Sequence, residues 1–154
     1  MAEATNTKAP ALGQLTKDGV YAGLTDDGKQ QIFAMPEDLK TRFLKRPTMT
    51  FNKAAKRVAQ LNAHKALHHD DWQIPSLEIL RILKKNRNEG KLKGTFNTVI
   101  SIDASDWYWS STKEPDAPYI MRANASFANG EEDYVIQDDY QLSCRPVRLV
   151  PVAH

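Results

Sequence analysis

Asp71-Trp72-Gln73-Ile74-Pro75-Ser76-Leu77-Glu78-Ile79-Leu80-Arg81-Ile82-Leu83 is an extended run that turns abruptly into a helix. Pro75 fixes the backbone angle where the helix opens. Ser76 offers a hydroxyl to the free amides of the first turn, and Glu78 lies near the positive end of the helix dipole. Leu77, Ile79, Leu80, Ile82 and Leu83 then supply a broad apolar face. Lys84, Lys85 and Arg87 fall near the C-terminal end, and Gly90 is expected at the left-handed stop position. Upstream, apolar residues at 51, 54, 55, 58, 59 and 61 repeat with helical spacing behind Thr50, a second capping hydroxyl. That helix is expected to run to about Ala66.

The flanks of this helical middle read as strands. Val20-Tyr21-Ala22-Gly23-Leu24 and Gln30-Gln31-Ile32-Phe33-Ala34 enclose Thr25-Asp26-Asp27-Gly28-Lys29, and an Asp-Gly step between two short apolar runs signals a hairpin. Met35-Pro36 ends the second strand, and residues 37–47 are a charge-rich loop. After Gly94 the β-branched and aromatic texture returns in Trp107-Tyr108-Trp109-Ser110-Ser111, Tyr119-Ile120-Met121-Arg122 and residues 144–150. Residues 112–143, with Asn129-Gly130 as a turn, are expected to form one long irregular connection. The predicted architecture is α+β: two helices packed on an antiparallel sheet that pairs the Val20 strand with the 144–150 strand.

Residues 1–16 lack an apolar period and read as a tail before one domain, 17–154. Leu12 and Leu15 are spaced like one side of a helical turn or a short strand-addition peptide, and are expected to dock on a neighbouring subunit in a homo- or hetero-oligomeric assembly. Loss of residues 1–16 would then weaken assembly and leave the melting temperature nearly unchanged.

The 154 residues suit a single domain, with 41% apolar and 26% charged side chains, which excludes a disordered or collagen-like chain. No run of 18 apolar residues exists, so membrane insertion by a spanning helix is excluded. Met1-Ala2-Glu3-Ala4-Thr5-Asn6-Thr7-Lys8 has neither a basic start nor an apolar stretch, so no secretory signal is read; the expected location is the cytoplasm, or a released phage or injection particle. A net charge of +2 gives no reason to expect nucleic acid. The charge is nonetheless uneven: residues 50–98 carry 10 basic and 4 acidic side chains, and residues 99–154 carry 4 basic and 9 acidic. Such a split can steer partners or align copies. Cys144 is the only thiol, which excludes an internal disulfide and a cysteine-rich zinc site, and its apolar strand context marks it as an inert core residue. No Ser-His-Asp pattern, phosphate loop or dinucleotide fingerprint is present, so no enzyme is expected.

Three motifs in order resemble those of the Lcl C-terminal domain family. Trp72-Gln73-Ile74-Pro75-Ser76-Leu77-Glu78-Ile79-Leu80 resembles its Trp-Arg-Leu-Pro-Thr-x-x-Glu-Leu signature, with Asp71 before it. Tyr108-Trp109-Ser110-Ser111-Thr112 matches its Tyr-Trp-Ser-Ser-Thr strand, and Cys144-Arg145-Pro146-Val147-Arg148 resembles its closing Val-Arg-Pro-Val-Arg. The similarity spans roughly residues 18–150. Gln73 stands in place of the usual arginine and removes a charge, while Ser76 in place of threonine keeps the capping hydroxyl. The resemblance implies a fold similar to C-type lectins and formylglycine-generating enzymes. The paired-cysteine chemistry of the latter would lack a partner for Cys144. The motif residues read as framework: Trp72 and Trp109 as core aromatics, Pro75 and Ser76 as helix start, and Arg145 and Arg148 on opposite strand faces, one of them paired with a carboxylate such as Asp71.

Three constellations could carry chemistry. His64-x-x-x-His68, beside His69, Asp70 and Asp71, has the spacing for two zinc ligands on one helical face, but the glutamate of a His-Glu-x-x-His site is missing. Glu114-Pro115-Asp116 resembles the tripeptide with which C-type lectins hold calcium and sugar hydroxyls around a cis proline. Glu131, Glu132 and Asp133, or Asp138 and Asp139, would complete the shell. The lectins' Trp-Asn-Asp strand is absent, and no cofactor is expected, calcium being the alternative. Finally, residues 112–143 hold seven acids against Lys113 and Arg122, a field that repels nucleic acid and attracts a basic partner. Tyr134 and Tyr140 are the expected contact anchors and Tyr119 a core residue. The expected function is a non-catalytic recognition or adhesion module, a subunit of a larger assembly such as a phage or injection particle, binding a protein or glycan through 112–143. The alternatives are a calcium-dependent carbohydrate binder and a formylglycine-generating-type enzyme.

Overall fold

Two hydroxyls start the two helices. In the computed structural model, which describes residues 9–117 and 119–152, the Thr50 side chain accepts from the Lys53 amide at the head of α1 (Phe51–Ala63), and Ser76 does the same for Ile79 at the head of α2 (Leu77–Lys85). Each contact satisfies an amide that has no partner within the helix. α1 stops three residues short of the expected Ala66, because Lys65, Leu67 and His68 all take positive φ and break the helical ladder. α2 is closed by Asn86, whose side chain donates to the Ala22 carbonyl. Gly90 is therefore not the helix stop. Its left-handed backbone (φ +49°) serves a close approach to Gly13, where a Cβ on Gly90 would lie 2.8 Å from the Gly13 backbone.

The first sheet contains β1 (Leu15–Thr16), β2 (Gly19–Leu24), β3 (Gln30–Ala34) and β7 (Val147–Pro151), antiparallel throughout and in the order β1-β2-β3-β7. The two chain ends do share a sheet, but the expected direct pairing of the Val20 strand with the C-terminal strand is wrong. The tight turn lays β3 between them, in register Ile32 with Leu149. β4 (Trp107–Lys113), β5 (Met121–Ser126) and β6 (Glu132–Ile136) form a second antiparallel sheet. The expected irregular connection over 112–143 is corrected by this: half of it, residues 121–136, is a strand pair turning at Gly130 (φ +80°). Tyr119 and Ile120 precede β5 and are exposed.

Two apolar clusters hold these layers. α2 presses Leu77, Leu80 and Leu83 against Val20 and Ile32 of the first sheet and Ala123 and Ala125 of the second, with Phe96, Tyr108 and Phe127 stacked at one end. α1 contributes Phe51, Ala54 and Val58 to a second cluster with Trp72, Trp109, Leu142 and Cys144. Trp109 is fully buried, edge-on to Phe51, and its indole N–H donates to the Met49 carbonyl at 2.8 Å. Burial of one such side chain contributes roughly 2–3 kcal/mol. Among the described residues no helix is long and apolar enough to cross a membrane.

The expected tail needs correction where it is described, residues 1–8 lying outside the described residues. Gly13 donates to the Tyr21 carbonyl and accepts from the Lys91 amide, both at 2.8 Å, and Leu15–Thr16 pair with β2. This segment docks on its own chain, leaving Leu12 and Leu15 exposed.

Candidate functional site

Arg148, on β7, grips Asp71 through two parallel contacts (Nε to Oδ1 2.5 Å, Nη2 to Oδ2 3.3 Å), and its Nη1 reaches the Asp18 carbonyl and carboxylate at 3.1 and 3.2 Å. The guanidinium's hydrogen bond holds the Asp71 carboxyl below the ordinary carboxylate range. Arg145 precedes the strand and is fully buried. It contacts Asp38 (Nε 2.9 Å, Nη2 2.8 Å), Thr95 (Oγ1 3.1 Å, carbonyl 2.5 Å) and the Met35 carbonyl (3.1 Å), and lies 4.0 Å above the Phe96 ring centre. Tyr108 donates its hydroxyl to the other Asp38 oxygen at 2.6 Å and accepts from the Asn97 amide at 2.8 Å. Burial pushes the Asp38 carboxyl up, against the opposing pull of Arg145 and the Tyr108 hydroxyl. Burial, with Asp38's charge, also pushes up the Tyr108 phenol and the Cys144 thiol. The partner of Arg145 is thus a residue of the 37–47 loop, 107 positions away, for which the sequence carries no local signal.

The candidate metal ligands are not gathered. Among the described residues no group of three or more His, Cys, Asp or Glu side chains converges. His64 is the α1 cap and His68 lies in a turn at φ +71°, so the four-residue spacing no longer puts them on one helical face. Among the described residues there is no cis peptide bond, Glu114–Pro115 included.

The acidic stretch is divided by β6. Glu132, at the strand's start, is held by Arg81 through two 2.7 Å hydrogen bonds, with Lys84 at 3.9 Å. Glu131 and Asp133 beside it are exposed, and Asp133 accepts from the Tyr134 amide. At the strand's far end Asp138 is bonded to Asn52 of α1. Tyr134 is half-buried and packs on the first core cluster, which weakens its expected role as an exposed anchor, whereas Tyr140 is exposed. Tyr119, expected in the core, is 65% exposed because it lies before β5 rather than in it. Glu114 is half-buried with its amide bonded to the Met121 carbonyl, and Asp116 is exposed.

What the structure does gather lies elsewhere. Residues 41–48 and α1 bound an open groove of about 530 Å³. Arg42, Arg46, Lys53, Lys56 and Arg57 line it, Met49, Phe43 and Leu44 supply its apolar surface, and no carboxylate is among the lining residues. The loop is closed on itself by Thr41: its amide donates to the Arg46 carbonyl at 2.9 Å, its carbonyl accepts from Lys45 at 3.1 Å, and its hydroxyl accepts from the Arg46 amide at 2.8 Å. Arg57 ties α1 to the loop through the Lys40 carbonyl at 3.2 Å. At the tip Phe43 is 84% and Leu44 70% exposed. A second apolar tip, Val99, Ile100 and Ile102, is also exposed. Both loops leave the core at the Tyr108 hydroxyl, where Asp38 and Asn97 meet. The signal for the groove, Lys40-Thr41-Arg42-Phe43-Leu44-Lys45-Arg46, is visible in the sequence but was masked by its charge, which reads as an ordinary solvated loop. Compared with protein-family models and with curated proteins, the chain matches none.

Proposed function

We propose that this protein is a non-catalytic recognition module on a C-type-lectin-like frame, similar to the Lcl C-terminal domain, that binds an anionic partner in the groove between residues 41–48 and α1. The observation that carries this reading is five cationic side chains lining one groove without a carboxylate among them. Uncompensated cations beside low-dielectric walls focus a positive field and offer charge-assisted hydrogen bonds to phosphate, sulfate or carboxylate oxygens. We place binding here rather than on the 112–143 stretch because the acids there are divided between two ends of a strand and Glu132 is already committed to Arg81. Burial keeps the Cys144 thiol protonated, which disfavours thiolate chemistry at this residue. The frame is supported by the two arginine–carboxylate pairs and by the two buried tryptophans, which knit the three motifs together.

The test is binding of long-chain polyphosphate, followed by anisotropy. The double variant Lys53→Glu/Lys56→Glu, at two exposed α1 positions, should weaken binding by tenfold or more, on the order expected for removing and reversing two contacts, with an unchanged circular dichroism spectrum. Equal binding by this variant and the parent protein would sink the assignment.

A further inference from the structure

We infer that the anionic partner is a phospholipid membrane surface, on which the 40–46 loop seats with Phe43 and Leu44 in the interfacial layer and the surrounding cations on lipid headgroups. This rests on the anionic-partner reading and names the partner's class. The loop order is Lys40, Arg42, then Phe43 and Leu44, then Lys45 and Arg46, so a two-residue apolar tip is enclosed by cations on both sides. The Arg42 guanidinium, 5.4 Å from the Phe43 ring centre, already lies along that apolar surface. Lys53 and Lys56 of α1 extend the positive surface behind the loop.

The chemistry of the tip separates the candidate partners. A nucleic acid would satisfy the cations and could stack one base on Phe43, but Leu44 beside it has no π-face, so half of the exposed apolar tip would stay in water. A protein partner would bury Phe43 and Leu44, yet protein interfaces are depleted in lysine where they are most buried, and here Lys45, Lys53 and Lys56 surround the apolar pair. A headgroup layer accepts both components at once. Apolar side chains reach the acyl boundary, while lysine and arginine lay their methylene stems along it and keep their charges among the phosphates. The tip is largely exposed, which leaves it free to meet a planar surface. It is also pre-organised by the three Thr41 hydrogen bonds, so little ordering remains to be done on contact. Such a seat is interfacial and needs no spanning helix. Each cation held near an anionic leaflet is expected to raise the affinity roughly fivefold.

The experiment is co-sedimentation of the full chain with vesicles of phosphatidylcholine and phosphatidylserine in equal parts, and with phosphatidylcholine alone, beside the polyphosphate titration. The protein should pellet with the anionic vesicles and not with the neutral ones. Phe43→Ser/Leu44→Ser should lose vesicle affinity by roughly tenfold or more and lose distinctly less affinity for polyphosphate, which the cations attract, whereas Lys53→Glu/Lys56→Glu should lose both. Both tip residues are exposed, so the serine variant is expected to fold, and its circular dichroism spectrum checks this. Binding of polyphosphate without binding of anionic vesicles, or undiminished vesicle binding by the serine variant, would overturn the membrane inference and leave the anionic-partner reading standing. Binding of neither ligand would overturn both.

Discussion

Arg145 and Arg148 carry the same guanidinium into different surroundings. The Arg145 side chain has no exposure and its partner Asp38 little, whereas the Asp71 side chain that pairs with Arg148 is 51% exposed. Breaking a pair of the first kind strands a charge away from water. Arg145→Ala should therefore cost about 3–5 kcal/mol in urea unfolding, and a loss below 1 kcal/mol would contradict the geometry. Asp71 offers a pH test instead. Its folded carboxyl lies below the ordinary range because Arg148 bonds to it, so its contribution is complete above the unfolded value of about 4 and disappears as pH falls through the depressed folded value. Asp71→Asn should be less stable than the parent at neutral pH, with the two stability curves converging on acidification below the ordinary carboxylate range. Asp38, raised by burial, is present in both proteins and so drops out of the difference between the two curves. At this scale the capping hydroxyls and buried tryptophans were legible, because each is determined by its immediate neighbours. Asp38 was not, since nothing within the 37–47 loop announces a partner at Arg145.

Among the elements, the hairpin, both helices and β4 follow from periodicity and turn chemistry, whereas β5 defied them. Its Ala123-Asn124-Ala125-Ser126 has small and polar side chains that read as loop, yet all four are buried. They are small because α2 and the neighbouring strands leave no room for more, and tertiary packing thus outweighs strand propensity. The same close packing governs Gly13 and Gly90. A Cβ at Gly90 meets the Gly13 backbone, and the left-handed backbone there is unfavourable for any other residue. Gly90→Ala should lower stability by roughly 1–3 kcal/mol and accelerate hydrogen exchange at the Gly13 and Lys91 amides. Unchanged exchange would show that this contact does not secure residues 11–16. By the same geometry, removing residues 1–16 is now expected to lower the melting temperature, because β1 and the Gly13 bonds belong to the domain.

Across the whole molecule, the uneven charge of the chain was legible, but not which surface remains available to a partner. That depends on which charges pair within the fold, and α2's Arg81 and Lys84 neutralise Glu132 while the groove cations have no carboxylate among their lining. The affinity for polyphosphate should therefore fall steeply as salt rises, since the groove's contribution is screened over a Debye length of about 10 Å at 0.1 M. A salt-independent affinity would exclude an electrostatic groove. The order of the first sheet carries a further consequence, for synthesis. β3 is made more than a hundred residues before its neighbour β7, and Asp38 waits equally long for Arg145. A ribosome-bound chain can form the Thr25–Lys29 turn and both helices, but β3 keeps an unpaired edge, and the Asp38 carboxylate stays without its cation, until Arg145 and β7 emerge. Closure of this sheet waits on β7, and the nascent chain is most vulnerable to aggregation through that open edge until then.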